Sequence, residues 1–144
     1  MGKLKHLVVL TMMSMCIAQA YACTSAIVGG RLTRDGRPLM WKHRDTGCVD
    51  NFVAQVRAGS DDELDYVALF NMGDSPLSEA WIGMNEAGFA VMNTASYNLA
   101  PDTAEYKDRE GEVMSRALKL CRSLRDFESL LDGMPRPLGV QANF

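Results

Sequence analysis

Short apolar runs separated by polar turns fill the chain from residue 24 to residue 96. The runs are residues 24–31, 38–44, 51–57, 65–71, 79–84 and 89–96. Their lengths, and the Gly, Asp and Asn residues between them, are typical of antiparallel strands joined as hairpins. Asp35-Gly36 marks the first turn, and residues 85–88 mark the third, where Gly88 suits a left-handed backbone. The pattern therefore predicts three consecutive hairpins, with residues 85–88 serving the turn rather than catalysis.

Helical spacing begins after the polar segment 97–109, which contains Pro101. In residues 110–121 the apolar side chains recur on one face of a helix. They are Val113, Ala117, Leu118 and Cys121. Ser123 is suited to cap a second, shorter helix that carries Phe127, Leu130 and Leu131 and that Gly133 can end. Strands followed by a helical pair predict an α+β fold, with an antiparallel sheet covered on one face by the helices.

A final apolar run, residues 138–144, resembles a new strand that stops without a polar tail. We therefore expect the domain that begins at residue 23 to be the N-terminal portion of a larger one.

The first 22 residues have the composition of a secretory signal. Lys3 and Lys5 precede the apolar core at residues 7–18, and Ala20 and Ala22 provide the small side chains that signal peptidase requires. We expect cleavage after Ala22 and export of the remaining chain, either to the periplasm or into the medium.

Removing residues 1–22 from the 144-residue chain leaves 122 residues, enough for one domain with its own core. The leader carries two lysines and no acidic residue, so the formal charge changes from −3 to −5. Basic residues are scattered, which argues against a nucleic-acid partner, and the signal core is short for a stable membrane span. Cys48 and Cys121 are equally compatible with a disulfide bond and with two separate thiols.

Cys23 would become the first residue of the mature chain, at the start of a predicted strand. Its thiol and the new α-amine would then belong to one residue. An α-amine titrates near ~7.7–8.0, so it can accept the thiol proton at ordinary pH. This pairing is the chemistry of an N-terminal nucleophile. The carboxylate of Asp45, at the end of the first hairpin, is placed to orient the amine.

The segments Cys23-Thr24-Ser25, Lys42-His43-Arg44-Asp45 and residues 83–89 leading to Asn93 resemble the choloylglycine hydrolase family. More closely, they resemble the related acyltransferases of the isopenicillin N acyltransferase group. The resemblance extends over residues 23–144. It implies the N-terminal portion of an αββα four-layer N-terminal nucleophile (Ntn) hydrolase sandwich. It also implies action on linear carbon–nitrogen amide bonds through a thioester, without a cofactor, on a small-molecule amide.

Carried over by position, the resemblance implies roles for four residues. Cys23 becomes the nucleophile, Asp45 the carboxylate that binds its α-amine, and Asn93 a donor to the oxyanion. Lys42 stands where the family usually has an arginine; it keeps the charge but loses the planar fork of donors. The family also places an asparagine and an arginine downstream of the point where this chain ends, so we expect this form of the chain to have an incomplete site and to be inactive.

Each assignment has a structural alternative. Cys23 could instead be the lipid-anchored first residue of a non-catalytic exported lipoprotein or binding module. Asp45 could cap a turn, and Asn93 could satisfy buried backbone groups. His43 alternates to the opposite strand face from Lys42, so we expect it to be structural or exposed to solvent. A metal site is not indicated by one mature histidine without ligand-spaced cysteines. The substrate, the choice between hydrolase and acyltransferase, and homo-oligomerisation all stay open.

Overall fold

The computed structural model describes residues 23–73, 77–96 and 108–144. The predicted signal sequence and the polar segment around Pro101 lie outside these residues. Within them the fold is α+β, with antiparallel sheets and two helices, as the sequence predicts. The strands are β1 (Thr24–Val28), β2 (Leu39–His43), β3 (Asn51–Val56), β4 (Tyr66–Asn71), β5 (Ile82–Asn85), β6 (Ala90–Met92), β7 (Thr94–Ala95) and β8 (Ala142–Asn143). The helices are α1 (Glu110–Leu120) and α2 (Leu124–Gly133).

The first hairpin joins β1 and β2, with Ser25 opposite Lys42 in the antiparallel register. Its connection is longer than the predicted tight turn. A 3-10 helix at Gly30–Leu32 follows β1, and the Leu32 N–H donates to the Gly29 carbonyl at 2.9 Å. The predicted strand over residues 24–31 therefore ends at Val28, because the chain begins to turn at the two successive glycines.

Strands β3 to β6 form a four-stranded antiparallel sheet in sequence order. Gly88, in the β5–β6 turn, has a φ of 84°, as predicted for that position. The predicted strand over residues 89–96 is interrupted at Asn93. β6 pairs with β5, whereas β7 pairs with β8 near the C-terminus. Asn93 thus lies where the chain leaves one sheet and enters another.

The inner face of the four-stranded sheet packs against α1. Tyr66, Ala68 and Phe70 of β4 form a buried cluster with Met114 and Leu118 of the helix. Gly83 of β5 allows the helix to approach, because a Cβ at this position would lie 2.6 Å from Leu118 Cδ1. The apolar face predicted for α1 is confirmed, since its members are all buried.

Helix α2 adds a second buried cluster beside α1. The Ser123 hydroxyl accepts the Asp126 N–H at 3.3 Å, which confirms the predicted N-cap. Phe127 is 6 % exposed and contacts the rings of Phe89 and Phe144. The predicted strand over residues 138–144 is reduced to the two residues of β8, because Gly139 has a φ of 70° and breaks the extended backbone.

The outer face of the four-stranded sheet is apolar and open. Val53 and Met84 on this face are 67 % and 52 % exposed. The β1–β2 hairpin lies on the same side, and Ile27 and Met40 of the hairpin line a cavity with Val53 and Met84. This cavity, called here the inter-sheet slot, has a volume of about 690 Å3. No helix among the described residues is long and apolar enough to cross a membrane.

Candidate active site

All four residues singled out from the sequence line one cleft of about 280 Å3. Cys23 enters it from the start of β1, and Lys42 from β2. Asp45 lies two residues after β2, and Asn93 lies between β6 and β7. This cavity is called here the Cys23 cleft. Two separate sheets therefore bring together residues that are distant in sequence.

The register of the first hairpin explains why Cys23 and Lys42 share the cleft. Ser25 is paired with Lys42, and side chains directly opposite each other point to the same face. Because alternate residues of a strand share a face, Cys23 and Arg44 join Lys42 there. His43 points to the other face, where it is exposed and lies edge to face with Trp41. The expectation that His43 is exposed and apart from Lys42 is confirmed.

Lys42 links the hairpin to Asn93. Its Nζ donates to Asn93 Oδ1 at 2.7 Å and to the Trp81 carbonyl at 3.0 Å. An ammonium group can only donate, so the amide oxygen of Asn93 must face the lysine. The Nδ2 donor of Asn93 is then directed away from Lys42. Asn93 is 7 % exposed, which restricts its freedom to turn over.

The pKa of Lys42 is lowered to about 8, chiefly because burial removes water from its charged form. Negative charge on Cys23 acts in the opposite direction, and the nearby guanidinium of Arg44 lowers the pKa further. Near neutral pH Lys42 is therefore mostly charged, but it loses that charge within a range that enzymes use.

Asp45 lines the cleft and is itself exposed to solvent. It lies two residues after β2, so the hairpin that positions Lys42 also sets the place of this carboxylate. Its assignment to the α-amine of Cys23 stays a prediction.

Arg44 and Trp81 belong to the cleft and were not predicted. The Arg44 guanidinium lies 4.4 Å from the centroid of the Trp81 ring. Its Nη1 also donates to the side-chain oxygens of Asn51, at 2.6 Å, and of Asn71. These bonds tie the end of β2 to the neighbouring ends of β3 and β4. The strand alternation that placed Lys42 could have revealed Arg44, but Trp81 enters through a contact between sheets.

Glu110 forms part of the cleft wall at the start of α1, and sequence reasoning also missed it. Its side chain is 4 % exposed, and its Oε1 accepts the Gln141 N–H at 2.5 Å. Burial raises the pKa of Glu110, and a hydrogen bond with Asp108 raises it further. Asp108 and Gln141 line the same cleft. The wall of the Cys23 cleft thus contains a carboxyl group that holds its proton more tightly than a free glutamic acid does.

The other two cysteines in the described part of the chain are separate thiols. Cys48 and Cys121 are both free, so the disulfide alternative is not realised. Cys121 is buried in the second core cluster, and burial raises its pKa to about 11. Cys23 is half-buried and faces the cleft, so a reagent can reach its thiol, whereas the buried thiol of Cys121 is inert.

No group of three or more His, Cys, Asp or Glu residues in the described ranges is arranged to hold a metal ion. The side chains of the Cys23 cleft instead offer a thiol, an amide donor and cationic groups, which suit attack on a carbonyl. Comparison with family models, with curated proteins and with solved structures gives no match for this chain.

Proposed function

We propose that this protein is an exported cysteine Ntn hydrolase or acyltransferase that cleaves linear carbon–nitrogen amide bonds. One observation carries the proposal: Cys23, Lys42, Asp45 and Asn93 line a single cleft. These are the residues for which the family resemblance implies a nucleophile, a neighbouring cation, an amine-binding carboxylate and an oxyanion donor.

In the proposed reaction, signal peptidase removes residues 1–22 and releases the α-amine of Cys23. The amine takes the thiol proton while Sγ forms a bond to the substrate carbonyl carbon. The tetrahedral intermediate then collapses and the carbon–nitrogen bond breaks. The proton that the α-amine of Cys23 took from the thiol passes to the leaving nitrogen. The product of this half-reaction is a thioester on Cys23 and a free amine.

Asn93 is the proposed side-chain donor to the oxyanion. The bond from Lys42 to Asn93 Oδ1 fixes the amide so that Nδ2 can donate elsewhere. Lys42 therefore acts through Asn93 and also supplies positive charge beside the thiol. Fixed donors of this kind stabilise the charge that develops on the carbonyl oxygen without having to reorganise during the reaction.

The second half-reaction repeats these roles. Water, or an acceptor amine, attacks the thioester carbon and gives its proton to the α-amine of Cys23, which returns it to the departing sulfur. Water yields a carboxylic acid, and an amine yields a new amide. In this scheme Asp45 keeps the α-amine oriented through both steps.

The proposed fold is the N-terminal portion of an αββα sandwich. Its support is the order of the layers: α1 covers the inner face of the four-stranded sheet, and the β1–β2 hairpin lies over the apolar outer face. A sheet with both faces apolar needs a layer on each side, which is the arrangement of a sandwich.

Replacement of the nucleophile tests the reaction. Wild type, Cys23→Ala and the control Cys48→Ala, each in the full-length enzyme expected from the sequence, are incubated with a panel of N-acyl amides, and both amine release and a covalent acyl adduct are followed by mass spectrometry. We expect Cys23→Ala to lose both signals, whereas Cys48→Ala keeps them. Turnover retained by Cys23→Ala would contradict the proposal.

The mass of the mature N-terminus separates the enzyme from the lipoprotein alternative. An Ntn enzyme begins with an unmodified Cys23, because its base is the free α-amine. A diacylglyceryl or N-acyl mass on Cys23 would identify an anchor and remove that base.

A further inference from the structure

Arg44 stands directly across the first hairpin from Cys23. Thr24 is paired with His43, so one further step of the antiparallel register brings Cys23 opposite Arg44. Residues that are opposite each other point to the same face, with their Cβ atoms about 4.5–5.5 Å apart. Arg44 therefore leaves the hairpin beside the proposed nucleophile, and the contacts of its guanidinium bear on the geometry there.

The guanidinium reaches one end of the four-stranded sheet. Asn51 begins β3 and Asn71 ends β4, and the two asparagines are opposite each other in the register of these strands. Nη1 of Arg44 donates to the Oδ1 atoms of both asparagines, at 2.6 Å in the case of Asn51. A single nitrogen atom from the hairpin thus bridges two amides of the neighbouring sheet.

The bond to Asn51 also closes the connection between β2 and β3. Nδ2 of Asn51 donates to the Val49 carbonyl at 2.9 Å and to the Cys48 carbonyl at 3.3 Å, so this amide is bound at both its oxygen and its nitrogen. Asp45 belongs to the same connection and lines the Cys23 cleft. Arg44 at one end and Asn51 at the other therefore restrain the backbone that carries the Asp45 carboxylate.

The second contact of the guanidinium leads to Asn93. Arg44 covers the ring of Trp81, at 4.4 Å from its centroid. The carbonyl of the same Trp81 accepts Lys42 Nζ at 3.0 Å, and Nζ also donates to Asn93 Oδ1 at 2.7 Å. Trp81 is thus held through its ring by Arg44 and through its backbone by Lys42. A planar guanidinium can stack on a ring and donate in its own plane at once, which an ammonium group cannot do.

We propose that Arg44 is a positioning residue of the Cys23 cleft. Through the β2–β3 connection it holds the proposed amine-binding carboxylate, Asp45, and through Trp81 it fixes the proposed oxyanion donor, Asn93. Both groups then take their places from one guanidinium. The effect of Arg44 on turnover rests on the proposed function, whereas its coupling to Asn93 can be measured without turnover.

The side-chain amide signals of asparagine, observed by NMR, provide that measurement. Protein labelled with a nitrogen isotope at its asparagines is compared as wild type, Arg44→Lys and the control Arg37→Lys. Arg37 belongs to the connection of the same hairpin, where its ion pair with Asp35 is exposed. The Asn93 signals, assigned by their loss in Asn93→Asp, should shift in Arg44→Lys and stay in place in Arg37→Lys, because only the first change removes the stacked guanidinium. Unshifted Asn93 signals in Arg44→Lys would overturn the proposal.

A second variant tests the path through Trp81 and does not depend on how well Arg44→Lys folds. Trp81→Leu removes the ring beneath the guanidinium and keeps the backbone carbonyl that accepts Lys42 Nζ. We expect it to shift the Asn93 signals as well. Residues that act through one contact are not additive, so the double variant Arg44→Lys with Trp81→Leu should move these signals little further than either change alone. Shifts that simply add would mean that Arg44 does not act through Trp81 and would overturn the proposal.

Turnover by the full-length enzyme expected from the sequence separates this inference from the proposed function. We expect Arg44→Lys to lower kcat roughly tenfold with little change in KM, because displaced catalytic groups slow the reaction more than they weaken binding. Urea unfolding gives the folded fraction of each variant, so that kcat refers to folded molecules. A kcat of Arg44→Lys equal to that of Arg37→Lys would overturn the proposal. Absence of turnover in the wild type would refute the hydrolase, and the Asn93 signals would still decide whether Arg44 positions Asn93.

Discussion

Lys42 and Asn93 lie 51 residues apart in sequence and are joined by a hydrogen bond of 2.7 Å from Nζ to Oδ1. This bond connects the β1–β2 hairpin to the junction between β6 and β7. It also decides which end of the Asn93 amide is available as a donor. Together with the bonds from Arg44 to Asn51 and Asn71, it holds the hairpin against the four-stranded sheet beside Cys23.

Lys42→Met tests this relationship while keeping a similar side-chain volume. Asn93 Oδ1 and the Trp81 carbonyl lose their donor, and the amide is free to turn over. In the full-length enzyme we expect kcat/KM to fall roughly 100-fold, mainly through kcat, because the loss affects Asn93, the proposed oxyanion donor. The control is Lys119→Met, which removes only a half-buried ion pair with Glu63 at 3.8 Å. An equal effect of both variants would contradict a role for Lys42 in positioning Asn93.

The charge of Lys42 also predicts the alkaline limb of the pH profile. Because its pKa is lowered to about 8, we expect kcat/KM to decline as pH rises through that value. In Lys42→Arg the guanidinium stays charged, so the decline should move to a higher pH. Initial rates across the pH range would show this directly. If kcat/KM of Lys42→Arg declined at the same pH as that of wild type, the decline would be due to the titration of another group.

Glu110 gives a prediction about stability. Its pKa in the folded state is raised, so the folded protein binds that proton more tightly than the unfolded chain does. The stability from this group is present below the unfolded value of about 4.3 and is lost as pH rises through the folded pKa. The side chain of Glu110→Gln does not titrate, so the variant does not lose this stability as pH rises. Its amide oxygen can still accept the Gln141 N–H. We expect the free energy of unfolding of Glu110→Gln, minus that of wild type at the same pH, to be larger at about pH 7.5 than at about pH 4.

Urea unfolding at both pH values measures this difference. Glu110→Ala is the comparison, because it removes the acceptor of the Gln141 N–H and should cost about 2 kcal/mol at either pH. If Glu110→Gln were destabilised most strongly at the higher pH, the wall would contain a carboxylate rather than a carboxyl group.

Much of the fold follows from local patterns in the sequence. The face of α1 could be predicted because Val113, Ala117 and Leu118 recur at helical spacing, and the hairpin turn could be predicted because Gly88 needs a positive φ. Such signals depend on neighbouring residues alone. The break at Asn93 could not be predicted in this way, because β7 pairs with a strand almost fifty residues later.

The same distinction between local patterns and long-range contacts applies to the residues of the candidate site. Cys23, Lys42 and Asp45 belong to one hairpin, so strand alternation and a family resemblance suffice to group them. Trp81 and Glu110 reach the cleft from other elements, through the packing of the four-stranded sheet against the hairpin and α1. No spacing rule relates those residues to Cys23, and only the tertiary structure reveals them.

Asn85 is predicted to matter for stability and not for catalysis. Its Nδ2 donates to the carbonyls of Leu118 and Cys121 at 2.9 and 2.7 Å, and its Oδ1 accepts the N–H groups of Ala87 and Phe89. The side chain is 4 % exposed and joins the β5–β6 turn to the end of α1. We expect Asn85→Ala to lower the free energy of unfolding by about 3 kcal/mol, because buried carbonyls lose their donors.

Glu86→Ala is the control for Asn85, since Glu86 is exposed in the same turn. Its effect should stay below about 1 kcal/mol. Chemical denaturation gives both values, and labelling of Cys23 by a maleimide under native conditions should be unchanged in Asn85→Ala. A loss of Cys23 reactivity without a loss of stability would instead assign Asn85 to the site.

Gly83 is predicted to be required for the contact between β5 and α1. An added Cβ would lie 2.6 Å from Leu118 Cδ1, 2.8 Å from Ala68 Cβ and 2.8 Å from the Val67 carbonyl oxygen. The last two neighbours belong to the adjacent strand and cannot move without disturbing the sheet. We therefore expect Gly83→Ala to cost about 3 kcal/mol. Gly47→Ala is the matched control, because nothing lies within 4 Å of its added Cβ. The free energies of unfolding of the two variants, measured by thermal and urea unfolding, should differ by most of that cost. Similar stabilities would mean that α1 does not pack against the sheet at this distance.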